Sequence, residues 1–125
     1  MNKIDYGTKF KFEWAEGRTD VTDKYVDKEL SFSEFIYIIT KRHHEIAREN
    51  IECGCYGAYD KHKVWVKYNA DSEWEELGRL DLGNDYDWEY IRNAIKDSLA
   101  KYIEFDWGGF VEKGYQDWKE REKNA

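Results

Sequence analysis

The stretch YDKHKVWVKYNADSEWEELGRLDL, residues 59–82, decides the fold. Val64, Val66 and Tyr68 alternate with Lys63, Trp65 and Lys67, the two-residue period of a strand with one buried face. Asn69-Ala70-Asp71-Ser72 supplies turn residues, and a second strand is expected over about residues 73–82. Its alternation is clearest where Leu80 and Leu82 separate Arg79 and Asp81. Gly83-Asn84-Asp85 stops the sheet. Strands joined by so short a turn make an antiparallel sheet the economical arrangement. Trp65, on the polar face, needs a cover that a helix or a partner would supply.

Helical patterns lie on both sides of this hairpin. Before it, Ser31-Phe32-Ser33-Glu34 fits a capping box, in which hydroxyl and carboxylate each take a free amide of the first turn. Phe32, Phe35, Ile36, Ile39, His43, Ile46 and Ala47 follow at three- and four-residue spacing and form one core-facing stripe. Lys41, Arg42, His44, Glu45, Arg48 and Glu49 fall mostly on the wet face, and the helix is expected to end near Asn50. After the hairpin, Asp87 is the expected N-cap of a second helix, with Trp88, Ile91, Ile95, Leu99 and Tyr102 on its stripe.

The ends are less regular. Residues 1–8 read as irregular, and residues 9–14, KFKFEW, as a strand that buries Phe10, Phe12 and Trp14. Residues 15–20 break that strand, and residues 24–26 read either as a second short strand or as loop. Residues 51–58, IECGCYGA, read as a loop entering the hairpin. Residues 107–125 read as a peripheral charged tail or a short helix. The expected fold is therefore α+β: a small antiparallel sheet of three to four strands with two amphipathic helices on one face, in the order β-α-β-β-α plus tail. At 125 residues the chain suits one domain spanning its whole length.

The composition excludes several classes. An aromatic content of 18% rules out a disordered chain. A net charge of −7 argues against direct binding to nucleic acid or to anionic membranes; it permits a protein partner with a basic surface, or it serves only to keep the protein in solution. The opening residues MNKIDYGTKF carry no apolar signal core, and no run approaches the roughly 20 apolar residues of a membrane span. Cys53 and Cys55 are too close for an unstrained disulfide. A cytoplasmic protein is expected.

Two clusters invite chemistry. His43, His44, Cys53, Cys55 and His62 hold every His and Cys of the chain within 20 residues, and thiolates with imidazoles bind zinc. Against a zinc site, Cys-Gly-Cys lacks the usual spacing, and His43 lies on the apolar stripe, where a core histidine is the ordinary explanation. Asp81, Asp85, Asp87 and Glu89 form an acidic cluster. It fits helix capping and the positive end of a helix dipole better than a calcium loop. The glycines fit no phosphate-cradling spacing, and nothing marks a nucleophile with its base. No cofactor is expected.

The aromatic surplus points to contact. Trp65, Trp74, Trp107, Tyr115 and Trp118 have no obvious slot in the core. Trp and Tyr beside acids are suited to anchor an interface, because they add contact area with little entropy to lose. A tail that folds back over them, or a homo-oligomer in which they bury one another, are the competing readings.

YDKHKVWVKY, then LGRLDLGND, then a helix opening Trp88-Glu89-Tyr90-Ile91 resembles the small domains embedded in large polyvalent proteins of phages and conjugative elements. In those domains a YDKT-like strand precedes a strand ending in GR-x-DLGD and then a helix. The similarity spans about residues 59–95. It departs at His62, where the family has Thr, and at Asn84, where the family has Asp. The resemblance implies a mobile-element origin and carries no catalytic residues. It implies a non-enzymatic protein that blocks a host defence protein, as anti-restriction and anti-CRISPR proteins do. The candidate partner surface is then Asp81, Asp85, Asp87 and Glu89 with Trp65, Trp74, Trp107 and Trp118. The alternative is a small metal-binding protein or enzyme built on Cys53, Cys55, His43, His44 and His62.

Overall fold

The computed structural model describes residues 2–5, 7–15, 22–24, 29–53, 61–83, 85–108, 120 and 123. Its elements are β1 (Asn2–Lys3), β2 (Lys9–Ala15), β3 (Thr22–Lys24), α1 (Phe32–Cys53), β4 (Lys61–Lys67), β5 (Glu75–Asp81), α2 (Trp88–Leu99) and β6 (Ile103–Glu104). A four-stranded sheet in the order β3-β2-β4-β5 is antiparallel throughout. With its two helices the protein is of the α+β class.

Local chemistry sets most of these elements. The β4–β5 turn forms because the Asn69 side chain accepts the Asp71 amide at 2.9 Å, while its own carbonyl accepts the Ser72 amide at 3.1 Å. The capping box at α1 is complete: Ser31 N–H donates to Glu34 Oε1 at 3.1 Å, and Glu34 N–H donates to Ser31 Oγ at 3.3 Å. Helix α1 continues through Cys53, beyond the expected end near Asn50. No glycine or proline interrupts it before Gly54, so nothing local stops it sooner.

Both helices lie on one side of the sheet. Phe10 and Phe12 of β2 sit opposite Val66 and Val64 of β4, and all four are fully buried. Phe35 of α1 stacks on Phe10 at 4.9 Å and meets Phe12 edge-on at 5.9 Å. Ile91, Ile95 and Leu99 of α2 enter the same core. Each contributes roughly 1.5–3 kcal/mol by burial, against about 1 kcal/mol for the α2 cap. Core packing therefore holds α2 in place, and the cap sets where it begins.

Two further features depart from the expectation. Asn2–Lys3, in the segment read as irregular, pairs in parallel with Ile103–Glu104. A two-residue strand has no periodicity to detect. Helix α2 also stops at Leu99, so Tyr102 is not on its stripe. The Tyr102 N–H closes a turn on the Leu99 carbonyl at 2.9 Å, and its ring covers Gly78 in β5. Gly78 sits at φ +149° opposite a register shift between Val64 and Trp65. A β-carbon there would lie 2.8 Å from Tyr102 Cζ, so the bulge accepts only glycine without a shift of that ring. Among the described residues no helix is long and apolar enough to cross a membrane.

Candidate interaction surface

The segment between β5 and α2 is tied down from both ends. Leu80 and Leu82 are buried, and Gly83 turns the chain at φ +69°, a backbone state natural to glycine. Beyond it, Asp85 Oδ1 accepts the Asp87 amide at 2.9 Å. Asp87 is the N-cap of α2, as expected, and its Oδ2 accepts the Tyr90 amide at 3.2 Å. Glu89 in the first turn, its side chain exposed, pairs at 3.3 Å with the more buried Arg92. Three carboxylates thus crowd the positive end of α2, where its dipole favours them.

Two adjacent histidines of α1 hold the same segment by its carbonyls. His43 Nε2 donates to Gly83 O at 2.9 Å, and His44 Nδ1 donates to Tyr86 O. The His44 ring lies 5.1 Å from Trp88 and 6.0 Å from Tyr86, and Trp88 stacks on Tyr37 at 5.9 Å. With Trp88 drawn inward, Tyr86 and Tyr90 remain outside, at 43% and 50% exposure. Asp85, Asp87 and Glu89 are exposed around them. The result is a fixed surface of two tyrosines among three carboxylates.

The expected site residues separate into groups. Asp85, Asp87 and Glu89 come together; Asp81 ends β5 and its side chain lies outside the described residues, as does Trp118. Trp65 and Trp74 lie away from this surface with lysines for neighbours: Lys63 Nζ is 5.1 Å from the Trp65 ring centroid and Lys11 Nζ is 4.2 Å from that of Trp74. Trp107 packs half-buried against Phe105 at 5.9 Å, with Lys96 over its ring. Trp65, Trp74 and Trp107 therefore do not join the acids. Tyr86 and Tyr90, which the sequence reading passed over, take that place. Their signal was positional: they flank the Asp87 cap and lie off the Trp88-Ile91-Ile95 stripe.

The histidines do not gather round a common point. His43 Nδ1 lies 3.1 Å from His62 Nε2, so His43 meets protein partners at both ring nitrogens. His44 turns instead to Tyr86. Cys55 and the Cys53 side chain lie outside the described residues. Among the described residues no group of three or more His, Cys, Asp or Glu is placed to hold a metal ion. Burial pushes the His62 pKa well below its ordinary value, and His43 and then Arg42 add to the shift. The two rings form a buried hydrogen-bonded pair.

Comparison of the chain with family models, curated proteins and solved structures finds no match.

Proposed function

We propose that this chain is a non-enzymatic interaction protein that binds a basic surface on a bacterial host protein through Tyr86 and Tyr90 within the Asp85, Asp87 and Glu89 surround. The observation that carries the reading is the exposure of both tyrosines among carboxylates on a segment held by cap and histidine hydrogen bonds. Such a surface is ordered before binding, so association costs little further entropy. Its charge steers a basic partner, and its tyrosines supply the contact area. In its most specific form the protein is a cytoplasmic anti-defence inhibitor from a phage or mobile element, of the anti-CRISPR or anti-restriction kind.

The test is capture from bacterial lysate with tagged protein at low and high salt. The wild type is compared with an Asp85→Asn, Asp87→Asn, Glu89→Gln variant and with a Tyr86→Ala, Tyr90→Ala variant. The amide substitutions remove charge while keeping acceptors for the cap. One protein recovered in near-equal amount, lost at high salt and lost with both variants, supports the reading. A partner retained equally by both variants overturns the assignment to this surface.

A further inference from the structure

The opposite side of the sheet has the opposite charge character. Phe10, Phe12, His62, Val64, Val66 and Leu80 are buried towards the helices. Strand alternation therefore turns Lys9, Lys11 and Glu13 of β2 outward, with Lys63, Trp65 and Lys67 of β4 and Arg79 of β5. Lys9 stands directly across from Lys67, and Lys63 directly across from Arg79. Like charges directly opposed across a ladder are destabilising. Here two such pairs occupy one face of a chain whose net charge is −7. The carboxylates in this register are Glu13, Glu75, Glu76 and Asp81; Asp81 is across from Lys61, and Glu76 reaches Lys63 at 3.8 Å.

Two tryptophans lie among these cations. Trp65 is directly across from Lys11, and the Lys11 ammonium lies over the Trp74 ring. Both rings are half-exposed. At the end of the face, Lys9 and Lys67 line an open groove of about 620 Å³ together with Asp5, Glu29 and Asn69.

We infer that this face binds single-stranded nucleic acid, with phosphates along Lys9, Lys67, Lys11 and Lys63 and bases stacked on Trp65 and Trp74. A basic track beside aromatic rings is what a flexible polyanion with a flat base at each unit requires. An acidic peptide would use the lysines and leave the tryptophans without a role. The net charge does not forbid such contact. Fields in physiological salt decay over about 8 Å, and the sheet itself lies between this face and α2, whose Ile91, Ile95 and Leu99 pack on its other side. The sign of the face is then set by its own residues. The inference does not depend on the protein-binding role of the Tyr86–Tyr90 surface.

Fluorescence anisotropy of full-length protein with labelled oligo(dT) and oligo(U) tests it, across a salt series. Binding should weaken with salt. Lys9→Gln with Lys67→Gln should lower affinity at least tenfold and reduce the salt slope by about 1.4, roughly 0.7 for each phosphate contact removed from a single strand. Trp74→Leu should weaken binding about tenfold without changing the slope, and oligonucleotide should quench wild-type tryptophan fluorescence. Circular dichroism confirms that each variant is folded, and Lys9→Arg with Lys67→Arg should keep the wild-type affinity that the glutamine pair loses. Three results overturn the proposal: no oligonucleotide binding, equal competition by polyglutamate of matched length, or wild-type oligomers that the Lys9→Gln, Lys67→Gln variant converts to monomers.

Discussion

His43 and His62 face each other through Nδ1 and Nε2 at 3.1 Å in the core, and the Gly83 carbonyl decides which nitrogens carry hydrogen. A carbonyl only accepts, so His43 Nε2 is protonated. In the neutral pair His43 Nδ1 must then accept from His62 Nε2–H. If both rings were charged, two N–H groups would oppose each other. The buried pair is therefore compatible with one added proton at most.

This arrangement predicts a pH dependence. The unfolded chain has a histidine of ordinary pKa 6.5, whereas folded His62 has its pKa held well below that value. Unfolding thus takes up a proton in acid. The stabilisation is complete above pH 6.5 and declines as pH falls below it, by up to about 1.4 kcal/mol per pH unit until the folded pKa is reached. Denaturant midpoints measured from pH 8 downward should show this slope. His62→Leu should flatten it, and an unchanged slope in that variant would assign the effect to other groups.

The hydrogen bond itself can be isolated by a double-mutant cycle. His43→Leu withdraws the buried donor to Gly83 and the acceptor for His62, at a cost of about 1–3 kcal/mol. His43→Leu with His62→Leu should cost less than the two single changes added together, because the second removes a group the first had stranded. Strict additivity in urea melts would mean the two rings do not support each other.

Gly78 and Tyr102 offer a second cycle. Gly78→Ala should destabilise by about 1–3 kcal/mol, from its φ of +149° and from the approach of Tyr102 within 2.8 Å. In a Tyr102→Ala background the clash is gone and only the backbone part remains, so the same substitution should cost less. An equal cost in both backgrounds would leave the ring without influence on this position.

At the head of α2, Asp87→Ala should lower stability by about 1 kcal/mol, while Asp87→Asn should change it by a few tenths. Thermal melts would show the difference. A large loss with Asn would mean that the charge, and not the hydrogen bond to Tyr90 N–H, dominates at this cap.

Much of this was legible in the chain alone, for a local reason. A capping box, an Asx turn and an alternating strand are each specified by residues within a few positions of one another. Ser31 with Glu34, Asn69 with Asp71, and Val64 with Val66 behave accordingly. The stripe from Phe32 to Ala47 is buried as its spacing implies, and the stripe that begins at Trp88 holds as far as Leu99 but not to Tyr102. The acids around Asp87 were readable as cap chemistry, and the structure places three of them round exposed tyrosines.

What the sequence could not decide was which side of the sheet each aromatic would share with which charge. His43 and His62 are 19 residues apart, and they meet because α1 crosses the face of β4. Trp65 and Trp74 join lysines, and Tyr86 and Tyr90 join carboxylates, because of strand register, the shift opposite Gly78 and the carbonyl bonds to His43 and His44. The sequence by itself determined the elements and their buried stripes. Only tertiary structure divided one acidic chain into an acidic tyrosine surface and a basic tryptophan face, because charge adds by distance in space and not by position along the chain.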